Sequence, residues 1–206
     1  MIKYFLIFLL LSHSVYASVK INSYHKFEWK TEWTEALSNS LLHDDHKLML
    51  ERFIDEDDLN ELNCPDYNYA SNEEKLDFWQ VFFASLVRSE SGLNEKAKSP
   101  KMRGHRSYGL LQLAPQTAKR FCDLNSIEDD ILDGAKNLSC GIKLLSWQLA
   151  GAPDKNGKKK RADLENQLFG KKILLWGPLR QNDKQGRKRL YQFFHAHLDQ
   201  LPFCSV

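Results

Sequence analysis

Glu90, in the run Ser85-Leu-Val-Arg-Ser-Glu-Ser-Gly-Leu-Asn94, stands where the hydropathy pattern calls for another apolar residue. Counting back from it by threes and fours gives Val87 and Leu86, Phe83 and Phe82, then Trp79 and Phe78. That spacing places the acid at the end of an apolar helical stripe, with Asp77, Gln80, Ala84 and Arg88 on the opposite side. A carboxyl in the last helical turn feels the partial negative charge of the macrodipole, and apolar neighbours solvate its ionised form poorly. Both effects raise its pKa, the property required of a general acid near neutral pH. Alone, a glutamate near a helix end is commonly just a surface residue.

The elements that must position it are legible around it. Ser71-Asn72-Glu73-Glu74 has the form of a capping box that opens the helix, and Gly92 is suited to the C′ position that closes it. Asn94 to Tyr108 contains Ser99-Pro100 and Gly104 and reads as a surface loop. Pro115 fits the first turn of a short helix running to Cys122. A longer helix is expected over 128–149, with Leu138, Ile142, Leu145 and Leu149 inward and Gly151 after its end. Further helices are expected over 31–42, 47–54, 162–175 and 186–198. No useful strand-like alternation and no internal repeat are present, so an all-α fold is expected.

Three blocks of this chain carry a family likeness: Glu90-Ser91; Gly109-Leu110-Leu111-Gln112 with Pro115-Gln116-Thr117-Ala118; and Asn137-Leu138-Ser139-Cys140-Gly141. Each is common by chance, but the three in this order and spacing resemble the soluble lytic transglycosylases and the related goose-type lysozymes. The resemblance covers roughly residues 72–150. It implies a lysozyme-like helical domain that cleaves the β-1,4 bond between N-acetylmuramic acid and N-acetylglucosamine in peptidoglycan. It also implies Glu90 as the acid that protonates the leaving glycosidic oxygen. In a transglycosylase the same carboxylate then takes a proton from the muramyl 6-hydroxyl, which attacks C1 to form a 1,6-anhydro sugar. One protein carboxyl then suffices, unlike the usual two-carboxylate scheme.

Chemistry assigns roles to the other residues of these blocks. Ser91 can bond either the carboxylate or the helix backbone. Gln112 both donates and accepts, as sugar hydroxyls and amides require. Gly109 allows close backbone approach or a positive φ. Tyr108 and Trp147 offer aromatic surfaces on which a sugar can stack, and Asn137 braces the loop over the site. Two departures from the family pattern matter. Leu174, within Ile173-Leu-Leu-Trp-Gly-Pro178, stands where many relatives have a tyrosine that contacts the acid, which leaves Tyr108 or Tyr191 to supply a hydroxyl. Ala114 replaces an aspartate with which goose-type lysozymes orient water, so transglycosylation is favoured over hydrolysis. Glu95, Asp123 and Glu165 remain as carboxylates that the fold could bring near.

The whole chain fits this reading. Its 206 residues hold one ordinary domain, and a formal charge of +2 argues against a nucleic-acid binder. Residues 41–80 hold twelve Asp and Glu against three Lys and Arg, and residues 155–189 hold the reverse ratio. The basic stretch suits an acidic polymer such as a wall bearing peptide carboxylates. Residues 1–17 read as a secretory signal cleaved after Ala17, because the apolar run Tyr4–Leu11 is too short to span a bilayer. Export makes two disulfides the default for four cysteines. Of the three possible pairings, the one adopted joins Cys122 to Cys140 and Cys64 to Cys204. No metal site is expected, since no Cys-x-x-Cys occurs and the pair His43 and His46, with Asp44 and Asp45 between them, lacks a further ligand. His195 and His197 read as core or edge residues.

The resulting expectation is a signal peptide (1–17), an N-terminal helical extension (18–70) and a lysozyme-like, disulfide-stabilised catalytic domain (71–206) with a basic helical C-terminal part. Such a protein is secreted or periplasmic, monomeric, cofactor-free and not inserted in the membrane once the signal is removed. Its partner is the peptidoglycan glycan strand. The competing readings are a hydrolytic lysozyme and a catalytically silent wall-binding protein.

Overall fold

A computed structural model describes residues 19–43, 48–101, 105–154, 156–173 and 175–204. The expected signal segment, His46 and Leu174 lie outside these residues. Seven α-helices are present among them: α1 (Thr31–Leu42), α2 (Leu48–Glu51), α3 (Glu56–Glu61), α4 (Asn72–Glu90), α5 (Pro115–Cys122), α6 (Gly134–Leu149) and α7 (Lys184–His195). The described residues form only isolated β-bridges and no sheet, so the all-α expectation holds.

The central element is α4. Its capping box is fully formed: the Ser71 hydroxyl accepts from Glu74 N at 3.2 Å, and the Glu74 carboxylate accepts from Ser71 N at 2.7 Å. Phe78, Trp79, Phe82 and Phe83 are fully buried, as the stripe requires. The opposite side is not solvated as expected, because Gln80 and Ala84 are buried too. The reason is tertiary: α7 packs along one flank of α4 and α1 along another, where Gln80 Nε2 donates to Ser38 Oγ at 3.3 Å. Trp79 Nε1 donates to the buried Tyr67 hydroxyl at 2.9 Å, which gives the indole a polar partner in an otherwise apolar layer. Trp33, Leu37 and Leu41 of α1 join the same core, and α1 also lies along α6.

Three element boundaries differ from expectation. Over 47–54 only the single turn α2 forms, and α3 follows it, capped by Asp55, whose carboxylate accepts from Asp57 N at 3.0 Å. The helix expected over 128–149 is broken: Ile127–Ile131 forms a separate π turn and α6 starts afresh with Asp133 as N-cap. The Asp133 carboxylate accepts from Lys136 N at 3.0 Å, a local alternative to continuing the preceding turn. The helix expected over 162–175 is absent apart from a 3₁₀ turn at Ala162–Leu164. There the backbone finds partners elsewhere. The Asp58 carboxylate accepts from Leu168 N at 2.6 Å and Phe169 N at 3.2 Å, and Gln148 Nε2 donates to Gln167 O at 3.2 Å.

Both disulfides pair as expected, Cys122 with Cys140 and Cys64 with Cys204, across 18 and 140 residues of sequence. The first fastens the end of α5 to α6. The second fastens the C-terminal turn to the segment after α3. Residues 20–22 are held against the same end: Gln200 exchanges two hydrogen bonds with Lys20, and His197 Nε2 accepts from Asn22 N at 3.1 Å. His197 is fully buried with Nδ1 at 2.7 Å from Phe193 O, so the neutral ring donates there and accepts from Asn22.

Candidate active site

Glu90 is the last residue of α4 and opens into a cleft of about 530 Å³. The walls come from four places: the loop carrying Ser99 and His105, the turn at Gln112–Ala114, Thr117 and Leu144 on α5 and α6, and the segment Leu175–Arg180. Glu90 is the only carboxylic acid among the lining residues. Burial first, and then the negative charge of Asp183, push its carboxyl up to about 7, against the opposing pull of Arg189 and Arg180. A group poised there gives up and takes back a proton near neutrality.

Gln112 lines the cleft with Glu90. Its backbone is left-handed, φ 49°, and its Nε2 donates to Gly109 O at 2.8 Å and Ala97 O at 3.3 Å. The amide oxygen is the end not engaged by these bonds, so it is available to accept from a sugar hydroxyl or N–H. Tyr108, Gly109 and Asn137 sit behind Gln112 and do not line the cleft. Asn137 is fully buried and holds the turn from three sides. Its Oδ1 accepts from Leu111 N at 2.9 Å, and its Nδ2 donates to Ile131 O at 2.8 Å and Tyr108 O at 3.3 Å. Gly109 has φ 78°, and a Cβ there would lie 2.3 Å from Asn137 Nδ2, so glycine is required by both conformation and contact. Gly141 serves the same unit, since a Cβ on it would meet Leu111 Cδ1 at 2.1 Å. The second and third sequence blocks are thus one interlocked piece whose product is the position of Gln112.

Ser91 caps α4 and donates its hydroxyl to Val87 O at 3.2 Å, the backbone role of the two open to it. Trp147 lies outside this cleft and packs on Phe121. Of the two suggested hydroxyls, that of Tyr191 donates to Glu61, and Tyr108 is not among the residues that line the cleft. None of the three spare carboxylates lines the cleft. Glu95 pairs with Lys30 at 2.9 Å, Glu165 pairs with Lys159 at 2.6 Å, and Asp123 is the exposed C-cap of α5. Part of the basic stretch is ion-paired, through Lys159–Glu165, Arg161–Asp163 and Arg187–Glu61.

Sequence reasoning passed over Trp176, Arg180 and Asp183. Trp176 is buried in the cleft wall and donates Nε1 to Leu111 O at 2.7 Å, tying the Leu175–Arg180 segment to the Gln112 turn. The Ile173–Pro178 motif, which contains Trp176, is the sequence signal for that wall. Asp183 caps α7, accepting from Gly186 N at 2.9 Å, and its other oxygen packs on Gly177 of the cleft wall. A second groove, about 570 Å³, lies between α1 and α6 beside Cys122–Cys140. Its described lining residues include no carboxyl, and Glu90 is not among them. No grouping of three or more possible metal ligands occurs among the described residues.

Comparison with known proteins accords with this geometry. Three solved structures of Bd0314 DslA share the fold. A glutamate-to-glutamine mutant is 23% identical, with TM-score 0.59 over 84% of this chain and 91% of that one. A second such mutant is 23% identical, with TM-score 0.56 over 80% and 88%. The wild-type form 2 is 22% identical, with TM-score 0.57 over the same shares. No curated protein sequence matches the chain. Residues 68–162 match the family model of the transglycosylase SLT domain, a span that takes in Glu90, the Gln112 turn and Asn137. The segment that holds Glu90 is thus similar to the transglycosylase SLT domain, the domain of lytic transglycosylases and lysozyme-like glycosidases that act on peptidoglycan.

Proposed function

We propose that this protein is an exported, monomeric lytic transglycosylase in which Glu90 serves alone as acid and then base. The carrying observation is the cleft's single carboxyl, raised to about 7 and walled by apolar Leu113, Leu144, Leu175 and Trp176. Protonated Glu90 gives its proton to the glycosidic oxygen as the C1–O bond breaks. The resulting carboxylate takes the proton of the muramyl 6-hydroxyl, whose oxygen bonds C1. No water enters, and the proton returns to Glu90. The sugar's own 2-acetamido group steadies the charge at C1, the task a second carboxylate performs in most glycosidases. Gln112 and Arg180 hold the strand by hydrogen bonds from either wall.

The test is the mass of fragments released from purified walls. Anhydro ends are lighter by one water and lack a reducing terminus. Fragments with ordinary reducing ends would show a hydrolytic lysozyme instead, and binding without release a silent wall-binder. Glu90→Gln should abolish release while leaving the fold intact, and full activity in that variant would overturn the assignment.

A further inference from the structure

A further concavity, about 450 Å³, has Phe121 and Trp147 among its walls. Their placement relative to the cleft follows from helical register. Thr117 lines the cleft and Phe121 is four residues on along α5; Leu144 lines the cleft and Trp147 is three residues on along α6. Residues three and four apart share one helical face, so the aromatic pair stands within one turn of cleft-lining residues on the same two helices.

This concavity has its own construction. The two rings pack at 5.1 Å with planes tilted by 59°, and both remain only partly buried. Trp147 Nε1 donates to Pro153 O at 3.1 Å, which fixes the indole against the loop that forms the rim. Arg120 and Lys160 stand on that rim, both exposed and neither ion-paired among the described residues. The one rim acid, Asp154, turns its carboxylate to its own loop, accepting from Asn156 N at 2.9 Å and Lys158 N at 3.1 Å. What remains is an aromatic floor under two cations, of which Arg120 lies over the Phe121 ring at 5.3 Å.

We infer that this concavity is a distal subsite for the same glycan strand, taking sugars beyond the scissile bond on Phe121 and Trp147 and the carboxylates of an attached peptide on Arg120 and Lys160. The apolar face of a pyranose suits the rings, and charge-assisted bonds suit the peptide. The inference rests on the glycosidase reading of the Glu90 cleft and adds to it a preference for long, peptide-bearing strands.

The test compares kcat/KM on tetrasaccharide and octasaccharide wall fragments, each with and without peptides. Trp147→Ala should reduce the advantage of the octasaccharide about five- to tenfold, the size of one lost stacking contact. Arg120→Glu with Lys160→Glu, both at exposed positions, should reduce the advantage of peptide-bearing over stripped strands by a similar factor. The charge-reversal pair carries the test if Trp147→Ala lowers the melting temperature. Unchanged ratios in the folded variants would overturn the subsite alone. Failure of the unmodified protein to cleave any fragment would overturn the glycosidase reading beneath it.

Discussion

The hydroxyl of Ser89 donates to the carbonyl of Gly186 at 2.9 Å, which fastens the residue before the acid to the first turn of α7. The same turn is capped by Asp183, and Arg189 lies one turn further along. The groups whose charges act on Glu90 are therefore carried by one short stretch, Arg180 to Arg189, locked to the end of α4.

Asp183→Asn separates charge from capping, because asparagine caps a helix as well as aspartate does. A negative neighbour raises a carboxyl pKa, so neutralising it should lower that of Glu90. The alkaline limb of the kcat/KM profile, near pH 7 in the unmodified protein, should move to lower pH. Activity should fall at pH 7 and be retained at pH 5, with the melting temperature nearly unchanged. His105, exposed, also lines the cleft and is common to both proteins. An unmoved alkaline limb would show that Asp183 only caps.

Glu90→Gln should also reveal the burial of the acid as stability. The folded carboxyl titrates near 7 and an unfolded one near its ordinary 4.5. Between these values the native state holds a proton that the unfolded chain has released, so stability falls as pH rises. Glutamine has no such slope. The variant should match the unmodified protein near pH 4.5 and exceed it by roughly 1–3 kcal/mol at pH 8.5 in urea melts. Asp58, raised to about 7 by its burial, adds the same slope to both proteins and cancels in the difference.

Gly141→Ala drives a methyl into Leu111 and should destabilise by about 1–3 kcal/mol. Leu111→Ala removes the obstacle at the cost of a cavity. The double variant should therefore be more stable than the sum of the two single losses predicts, by at least about 0.5 kcal/mol in a double-mutant cycle. Strict additivity would show that the two motif blocks do not interlock there.

How this site was legible follows from distance along the chain. Glu90 announced itself because the signal is local: a capping box, an apolar stripe and a glycine stop within about one helix. Gln112 and Asn137 were found through motif blocks, although the bond from Leu111 to Asn137 that explains their joint occurrence is tertiary. Trp176, Arg180 and Asp183 come from a stretch with no period to read, and only packing carries them to α4. The same cause defeated the helix expected over 162–175. Its backbone donors at Leu168 and Phe169 are taken by Asp58, a residue about 110 positions earlier.

The two disulfides should not be equivalent. In the chain-entropy model, closing an 18-residue span contributes about 3 kcal/mol and a 140-residue span about 5 kcal/mol. Replacing Cys64 and Cys204 with serine should lower the urea midpoint more than replacing Cys122 and Cys140. The reverse order would show that fastening α5 to α6 outweighs the longer closure.

The Cys64–Cys204 bridge has a topological consequence as well. It converts everything from α4 to α7 into a covalent ring, with Glu90 on one arc and Trp176 and Arg180 on the other. The loop bearing exposed Lys158, Lys159 and Lys160 is a natural target for a trypsin-like protease, and it lies on that ring between the arcs. A single cut there opens the ring without releasing a piece, because the bridge still joins the two arcs. The nicked molecule keeps both walls of its cleft on one covalent body until a reductant arrives.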